Sequence, residues 1–167
     1  MGTTSDRNDP RLTHGADTGP VPQAEVYLVL SDEERAKGFV RPVRRSYVHV
    51  GPPGPTHELR PLTDHEESTF NVADPECGNS ECAGHRRYVA FEPYEEFLGR
   101  FWTQEQLNNI GKGCGDVTRM AQDIAETYAR DPHFYGATYC VRCRRHLPVG
   151  ADGEFVWLDD PNQRVGT

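Results

Sequence analysis

The chain carries a Cys-x-x-Cys motif towards its C-terminal end, Cys140-Val141-Arg142-Cys143. The other cysteines, which bring the total to an odd number of five, are Cys77, Cys82 and Cys114. We find no signal-peptide pattern, and an odd cysteine count argues against a disulfide framework, so the motif indicates metal binding or redox chemistry. A thioredoxin-like motif would lie early, at a strand-to-helix turn. Here the motif comes late, and Pro148 soon after it blocks a long helix, which favours a metal.

Two more ligands are needed, because protein zinc sites usually have four and the motif supplies two thiolates. Three sources are open: Cys77 with Cys82, Cys82 with His85, or Cys114 with one histidine. His49 is the best-placed histidine because it lies at the end of a predicted strand. Cys114 precedes a predicted helix, whose N-terminal N–H groups and dipole favour a thiolate. The other interpretation of Cys114 is a buried free thiol.

The apolar pattern predicts an α+β fold. A periodic face predicts one main amphipathic helix capped by Asp116, with these residues on its buried side: Val117, Met120, Ala121, Ile124, Ala125 and Tyr128. Residues 25–30 and 45–50 are typical of strands, and Ser31 and Thr103 each begin a short helix with a capping box. The Asp152-Gly153 turn predicts a hairpin between residues 147–149 and 154–158. We therefore expect one helix on a few antiparallel strands, joined by a zinc ribbon or knuckle.

Composition shifts along the chain predict its organisation. Residues 1–22 hold almost nothing to bury and are expected to be a disordered tail, and residues 161–167 a second tail. Residues 23–160 are expected to form a single zinc-binding domain, with 51–112 as an acidic, turn-rich excursion. No apolar run approaches the roughly 20 residues of a membrane span, so we predict a cytoplasmic protein.

The charge pattern weighs against nucleic-acid binding, although one short basic run leaves it as an alternative. Acidic residues outnumber basic ones by 26 to 18, a net charge of −8, and residues 51–100 alone sum to −6. Such a block repels phosphate backbones. Two short basic runs stand against it, one at residues 41–45 and one formed by Arg142, Arg144 and Arg145. Beside Tyr139 and Trp157, the second run defines the nucleic-acid alternative.

The spacing of the candidate catalytic residues is only weak evidence for an enzyme. His57-Glu58 and His65-Glu66 lack the HExxH pattern of zinc proteases, and Tyr139 stands where zinc deaminases have proline before the CxxC. Without His49 as a ligand, three cysteines and a water would form an open site, which makes a zinc-dependent hydrolase the second alternative. His146, after the motif, is expected to be exposed or to hydrogen-bond a ligand rather than to bind the metal.

Two stretches resemble small zinc-knuckle proteins encoded by phages of actinobacteria. They are LSDEERAKGFVRPVRRSYVH at residues 30–49 and residues 113–157, which contain GCGDVTRMAQDIAETYARDPHFYGATYCVRCRRHLPVG and EFVW. The resemblance implies that the shared ligands are His49, Cys114, Cys140 and Cys143. It also implies that residues 51–112 are an insertion, which adds a possible second or replacement site at Cys77, Cys82 and His85. It carries no established activity.

Four protein ligands leave no position for water, so we expect a structural Zn²⁺. The leading expectation is a non-enzymatic, zinc-stabilised interaction module of phage origin that binds a host or phage protein. The alternatives are a zinc-ribbon nucleic-acid-binding protein and the hydrolase.

Overall fold

A computed structural model describes residues 2–12, 27–70, 88–95 and 98–167. Cys77, Cys82 and His85 lie outside these ranges, as do residues 13–22 of the expected tail. The strands are β1 (Gly2–Thr4), β2 (Leu28–Leu30), β3 (Ser46–His49), β4 (Arg60–Pro61), β5 (Tyr88–Glu95), β6 (Leu98–Thr103), β7 (Val117–Arg119), β8 (Ala137–Cys140), β9 (Arg145–Pro148) and β10 (Phe155–Trp157). The helices are α1 (Asp32–Ala36), α2 (Asp64–Phe70), α3 (Gln104–Asn109) and α4 (Gln122–Arg130).

The mixed α+β prediction is confirmed: short helices accompany several antiparallel strands. The three-stranded sheets have the orders β10-β3-β7 and β4-β5-β6, and both are antiparallel. β8 and β9 form an antiparallel pair, and β1 and β2 a parallel one. Within the described ranges, no helix has the length and apolar character needed to cross a lipid bilayer.

The chain divides into two compact units. Met1–Pro53 and Gly111–Thr167 form the first, here called the ligand unit, and Gly54–Ile110 form the second, the middle unit. Most of the residues expected to be a turn-rich excursion thus form a compact unit of their own, and its described part contains three strands and two helices.

The core of the ligand unit is aromatic. α4 buries Ile124, Ala125 and Tyr128 on one face, as its periodicity predicts. Tyr128 packs edge-on against Trp157, and β3 and β10 add Tyr47 and Phe155 in a second edge-on pair. At about 25 cal/mol per Å² of apolar surface, these large side chains are the main favourable contribution to folding this unit.

The predicted start of the main helix is wrong. Residues 117–119 form β7, and α4 begins only at Gln122, with Ala121 as an uncapped N-cap. Asp116 therefore caps no helix. The Met120 N–H donates to the Arg45 carbonyl (2.8 Å), so pairing with β3 supplies the backbone partner that a longer helix would have supplied. Tertiary pairing overrides the local periodicity here.

The predicted C-terminal hairpin is also wrong. β9 pairs with β8, and β10 pairs with β3 in another sheet. The Asp152-Gly153 turn forms, with the Gly153 N–H donating to the Gly150 carbonyl. The strands on either side of this turn, however, belong to different sheets and do not pair with each other. The CxxC turn makes the hairpin instead, between β8 and β9.

Both expected tails contain ordered, packed residues. Gly2–Thr4 pairs in parallel with β2, and Thr4 is buried. At the other end Val165 is fully buried, and Arg164 forms a bridge with Val156 of β10. Single apolar residues in polar sequence, such as Val165, are too sparse to be recognised as core positions from the sequence.

Glu92 is a buried carboxylate in the middle unit. Its oxygens accept hydrogen bonds from the N–H groups of Thr56 and His57 and from the indole of Trp102. Burial by itself would raise the pKa of Glu92, but these donors outweigh it and hold the pKa at about 2. The charge therefore ties the start of the unit to the sheet formed by β5 and β6.

We expect Glu92→Gln to destabilise the middle unit by about 2 kcal/mol, because three N–H donors, the buried Trp102 indole among them, lose a charged acceptor. The folded-state pKa is depressed from 4.5 to about 2, so the stabilisation is present above pH 4.5 and is lost as the pH falls towards 2. Amide exchange of His57, followed against pH, measures both effects. Glu95→Gln, an exposed change in the same strand, is the control and should leave exchange unchanged.

Candidate metal centre

Three parts of the ligand unit bring the candidate ligands together. His49 is the last residue of β3, and Cys114 lies in the loop before β7, which pairs with β3. Cys140 ends β8, and Cys143 lies in the turn that leads to β9. One ligand atom from each of the four residues lies within 4.8 Å of every other, so the cluster could bind a metal ion.

Three of the distances between ligand atoms are close to those of a tetrahedral zinc site. The Cys114 and Cys140 sulfurs are 3.6 Å apart, and the His49 Nδ1 is 3.8 Å from the Cys140 sulfur and 3.3 Å from the Cys143 sulfur. Zinc bonds of about 2.3 Å to sulfur and 2.0–2.1 Å to nitrogen would require tetrahedral edges of roughly 3.5–3.8 Å. These three distances lie within a few tenths of an ångström of the required edges, and the remaining pairs lie within 4.8 Å of one another.

The CxxC turn places both of its thiols near the His49 Nδ1. The Arg144 N–H donates to the Cys140 carbonyl (2.8 Å), and Arg144 adopts φ +54°, a left-handed conformation that closes the turn. The Val141 N–H donates to Thr118 Oγ1 (3.1 Å), which ties the turn to β7. The hairpin formed by β8, this turn and β9, here called the knuckle, is thus held against the strand that follows Cys114.

Close backbone contact explains the glycines beside the ligands. A Cβ on Gly113 would lie 2.1 Å from the His49 carbonyl oxygen. Gly51 has φ +89°, and a Cβ there would lie 2.5 Å from the Lys112 nitrogen. Only glycine permits this approach, which brings the chain carrying Cys114 next to the end of β3.

Hydrogen bonds fix the orientation and tautomer of His49. Its Nε2 lies 2.7 Å from the Glu154 Oε2, and its Nδ1 accepts the Cys114 N–H at 3.2 Å. Because a carboxylate only accepts, the ring proton is assigned to Nε2, which leaves the single Nδ1 lone pair to accept the Cys114 N–H; a bound metal would take that lone pair in place of this hydrogen bond. Protein metal sites commonly hold a histidine ligand this way, with a carboxylate behind it.

Without a cation the Cys143 thiol favours its neutral form. Burial, together with the neighbouring Cys140 and Cys114 sulfurs, raises the pKa of the Cys143 thiol to about 12. Three thiolates in one place would repel one another. A divalent cation removes that penalty by replacing the thiol protons, so metal binding here should release protons.

The other predicted residues lie elsewhere. His146 is fully buried, and its Nε2 is 2.6 Å from the Tyr27 hydroxyl, so the expectation of an exposed side chain is wrong. The arginines of the nucleic-acid alternative are exposed: Arg142, Arg144 and Arg145. Trp157 is only 5% exposed and is unable to stack on a base. Cys77, Cys82 and His85 fall outside the described residues.

Sequence reasoning missed Glu154. It directly precedes β10, and only the pairing of β10 with β3 brings it behind the His49 ring. Nothing in its local sequence marks it as more than an acidic residue beside a turn.

We expect Glu154→Ala to weaken metal binding by about 10- to 100-fold, because His49 loses the acceptor that orients its ring. Glu154→Gln retains an oxygen acceptor without the charge and should lose less. Competition with a chromophoric chelator measures both. Glu33→Ala, an exposed change in α1, is the control. Equal affinity in Glu154→Ala and in the unchanged protein would contradict this role.

Comparison with models of known protein families, with curated proteins and with solved structures finds no match to this chain. The fold and the site themselves define its class: a mixed α+β protein with a His/Cys₃ cluster suited to a metal ion.

Proposed function

We propose that the cluster holds a structural Zn²⁺ and that the protein is a non-enzymatic interaction module that binds another protein. One observation supports this most: four ligand atoms from three separate segments lie within 4.8 Å of one another, the number that a closed tetrahedral site needs. A complete protein shell leaves no coordination position for a water or a substrate. The metal would therefore hold the fold together rather than catalyse a reaction.

The donor set supports zinc over other cations. Three sulfurs and one imidazole nitrogen suit a borderline-soft, tetrahedral ion, whereas Ca²⁺ and Mg²⁺ require oxygen ligands. A reducing cytoplasm, which we include in the proposal, would keep the thiols available. The resemblance to phage proteins supports a phage origin and a partner from the host or the phage.

Energetics support a structural role. Zinc contributes an apparent 10–16 kcal/mol to folding in small domains, whereas whole domains have a net stability of about 5–15 kcal/mol. In the ligand unit the bound ion would join β3, the loop before β7 and the knuckle. These short elements would then keep one arrangement and present a defined surface.

Cobalt substitution tests whether the site is closed. We expect the Co²⁺ protein to show intense tetrahedral visible bands with sulfur-to-metal charge transfer, and azide to leave them unchanged. His49→Ala opens one position and is the matched control, in which azide should shift the bands. An azide-induced shift in the unchanged protein would contradict the closed site and favour the hydrolase alternative.

Nucleic-acid binding is the second candidate, favoured by the exposed arginines of the knuckle: Arg142, Arg144 and Arg145. Trp157 is buried and is therefore unable to stack on a base, and Tyr139 is only partly exposed. This candidate predicts binding that weakens steeply with salt.

A further inference from the structure

β7 is an edge strand. Its bonds to β3 run through alternate residues: the Met120 N–H donates to the Arg45 carbonyl, and the Asp116 carbonyl accepts the His49 N–H. The N–H and C=O groups of Val117 and Arg119 must therefore point away from β3. Within the part of the chain that the structure describes, they have no hydrogen-bond partner. This edge offers two donors and two acceptors in register.

Apolar side chains flank this edge. Val117 of β7 is 46% exposed, and Val141 at the tip of the knuckle is 51% exposed. The hydrogen bond from the Val141 N–H to Thr118 Oγ1 keeps the knuckle tip beside β7. An added strand would therefore meet two apolar side chains as well as the free backbone groups.

The exposed charges on these elements are mainly positive. Arg119 lies on β7, and Arg142 and Arg144 lie on the knuckle, while Asp116 is the exposed acid next to β7. This local excess of positive charge contrasts with the net charge of −8 of the whole chain. Electrostatic complementarity therefore selects an acidic ligand.

We infer that the β7 edge binds an extended, acidic segment of a protein partner as an added β-strand, an inference that rests on the proposed function. Val117 and Arg119 lie on the same face of β7, so an apolar residue and a carboxylate two positions apart in such a segment could meet them. The edge offers acceptors as well as donors. A peptide backbone satisfies both kinds of group, whereas a phosphate backbone only accepts, which favours a peptide over a nucleic acid.

A peptide titration followed by NMR tests the inference, because it detects weak binding and locates it. The probe is a short synthetic peptide with threonine at every second position and valine and glutamate taking turns at the positions between, so that one face presents both; it is added to the zinc-loaded full chain. We expect downfield shifts of the Val117 and Arg119 amide protons as they acquire acceptors. The same peptide with lysine in place of glutamate should leave them unchanged.

Two charge reversals complete the design. Arg119→Glu should weaken binding of the glutamate peptide by about tenfold or more, whereas Arg41→Glu, the same change at an exposed site elsewhere in the ligand unit, should alter it less than about twofold. Equal response to the two peptides, or shifts confined to other residues, would overturn the inference. Binding of a single-stranded oligonucleotide but not of the peptide would also overturn it, in favour of nucleic acid.

Metal content, measured on each sample, separates this test from the proposed function. A chain that retains zinc but does not respond to the peptide overturns only the β7 docking site. A chain that binds no zinc overturns the proposed function and the inference with it.

Discussion

Chelation of the metal at neutral pH should unfold the ligand unit. Removal of a contribution of about 10–16 kcal/mol from a unit of ordinary stability leaves no net stability. Loss of even 5 kcal/mol would lower the melting temperature by at least about 20 °C, at 4–8 °C per kcal/mol for a domain of this size. Thermal unfolding with and without a strong zinc chelator measures the effect.

The two tryptophans allow each unit to be followed separately. Trp157 lies in the core of the ligand unit and Trp102 is buried in the middle unit. Trp102→Phe therefore leaves fluorescence that reports on the ligand unit alone. In that variant the signal should change on chelation and recover with Zn²⁺ but not with Mg²⁺. If the melting curve followed by Trp157 fluorescence were the same with and without the chelator, this would contradict a structural metal.

Cys140→Ser should weaken zinc binding by more than about a hundredfold. If four ligands share 10–16 kcal/mol, each contributes about 2.5–4 kcal/mol, and a hydroxyl is a poor replacement for a thiolate. Cys140 is fully buried, so the serine would also place a polar group in the core. Chelator competition gives the affinity and thermal unfolding gives the stability.

Cys77→Ser is the matched comparison for Cys140→Ser, since it removes one cysteine from the alternative ligand set. We expect it to leave zinc affinity and melting temperature unchanged. An equal loss in Cys77→Ser would mean that Cys77 replaces one of the four ligands, and the assignment would then have to change.

The sequence predicts the local parts of the fold well. Side chains of Ser31 and Thr103 accept N–H groups three residues on, as the capping patterns predict. The strand predicted over 45–50 appears as Ser46–His49. Each of these features depends on residues that are close together in the chain, so local chemistry is sufficient to predict them.

Long-range pairing is what local patterns miss. Val117 has the spacing of a helix face, yet it lies in a strand because residues 116–120 pair with β3. Glu154 lies behind His49 only because β10 pairs with the other side of β3. The CxxC could be assigned to a metal from its spacing, but three sources of further ligands stayed open on the residues alone. The folded chain brings His49 and Cys114 to the motif.

The most direct measurement of the central claim is the mass of the intact, purified protein under native conditions, with the metal identified by elemental analysis. One Zn²⁺ per chain is expected, kept in Cys77→Ser and lost when Cys143 is replaced by serine. A chain that carries no metal after purification in zinc-containing medium, and binds none when zinc is added, would contradict the account.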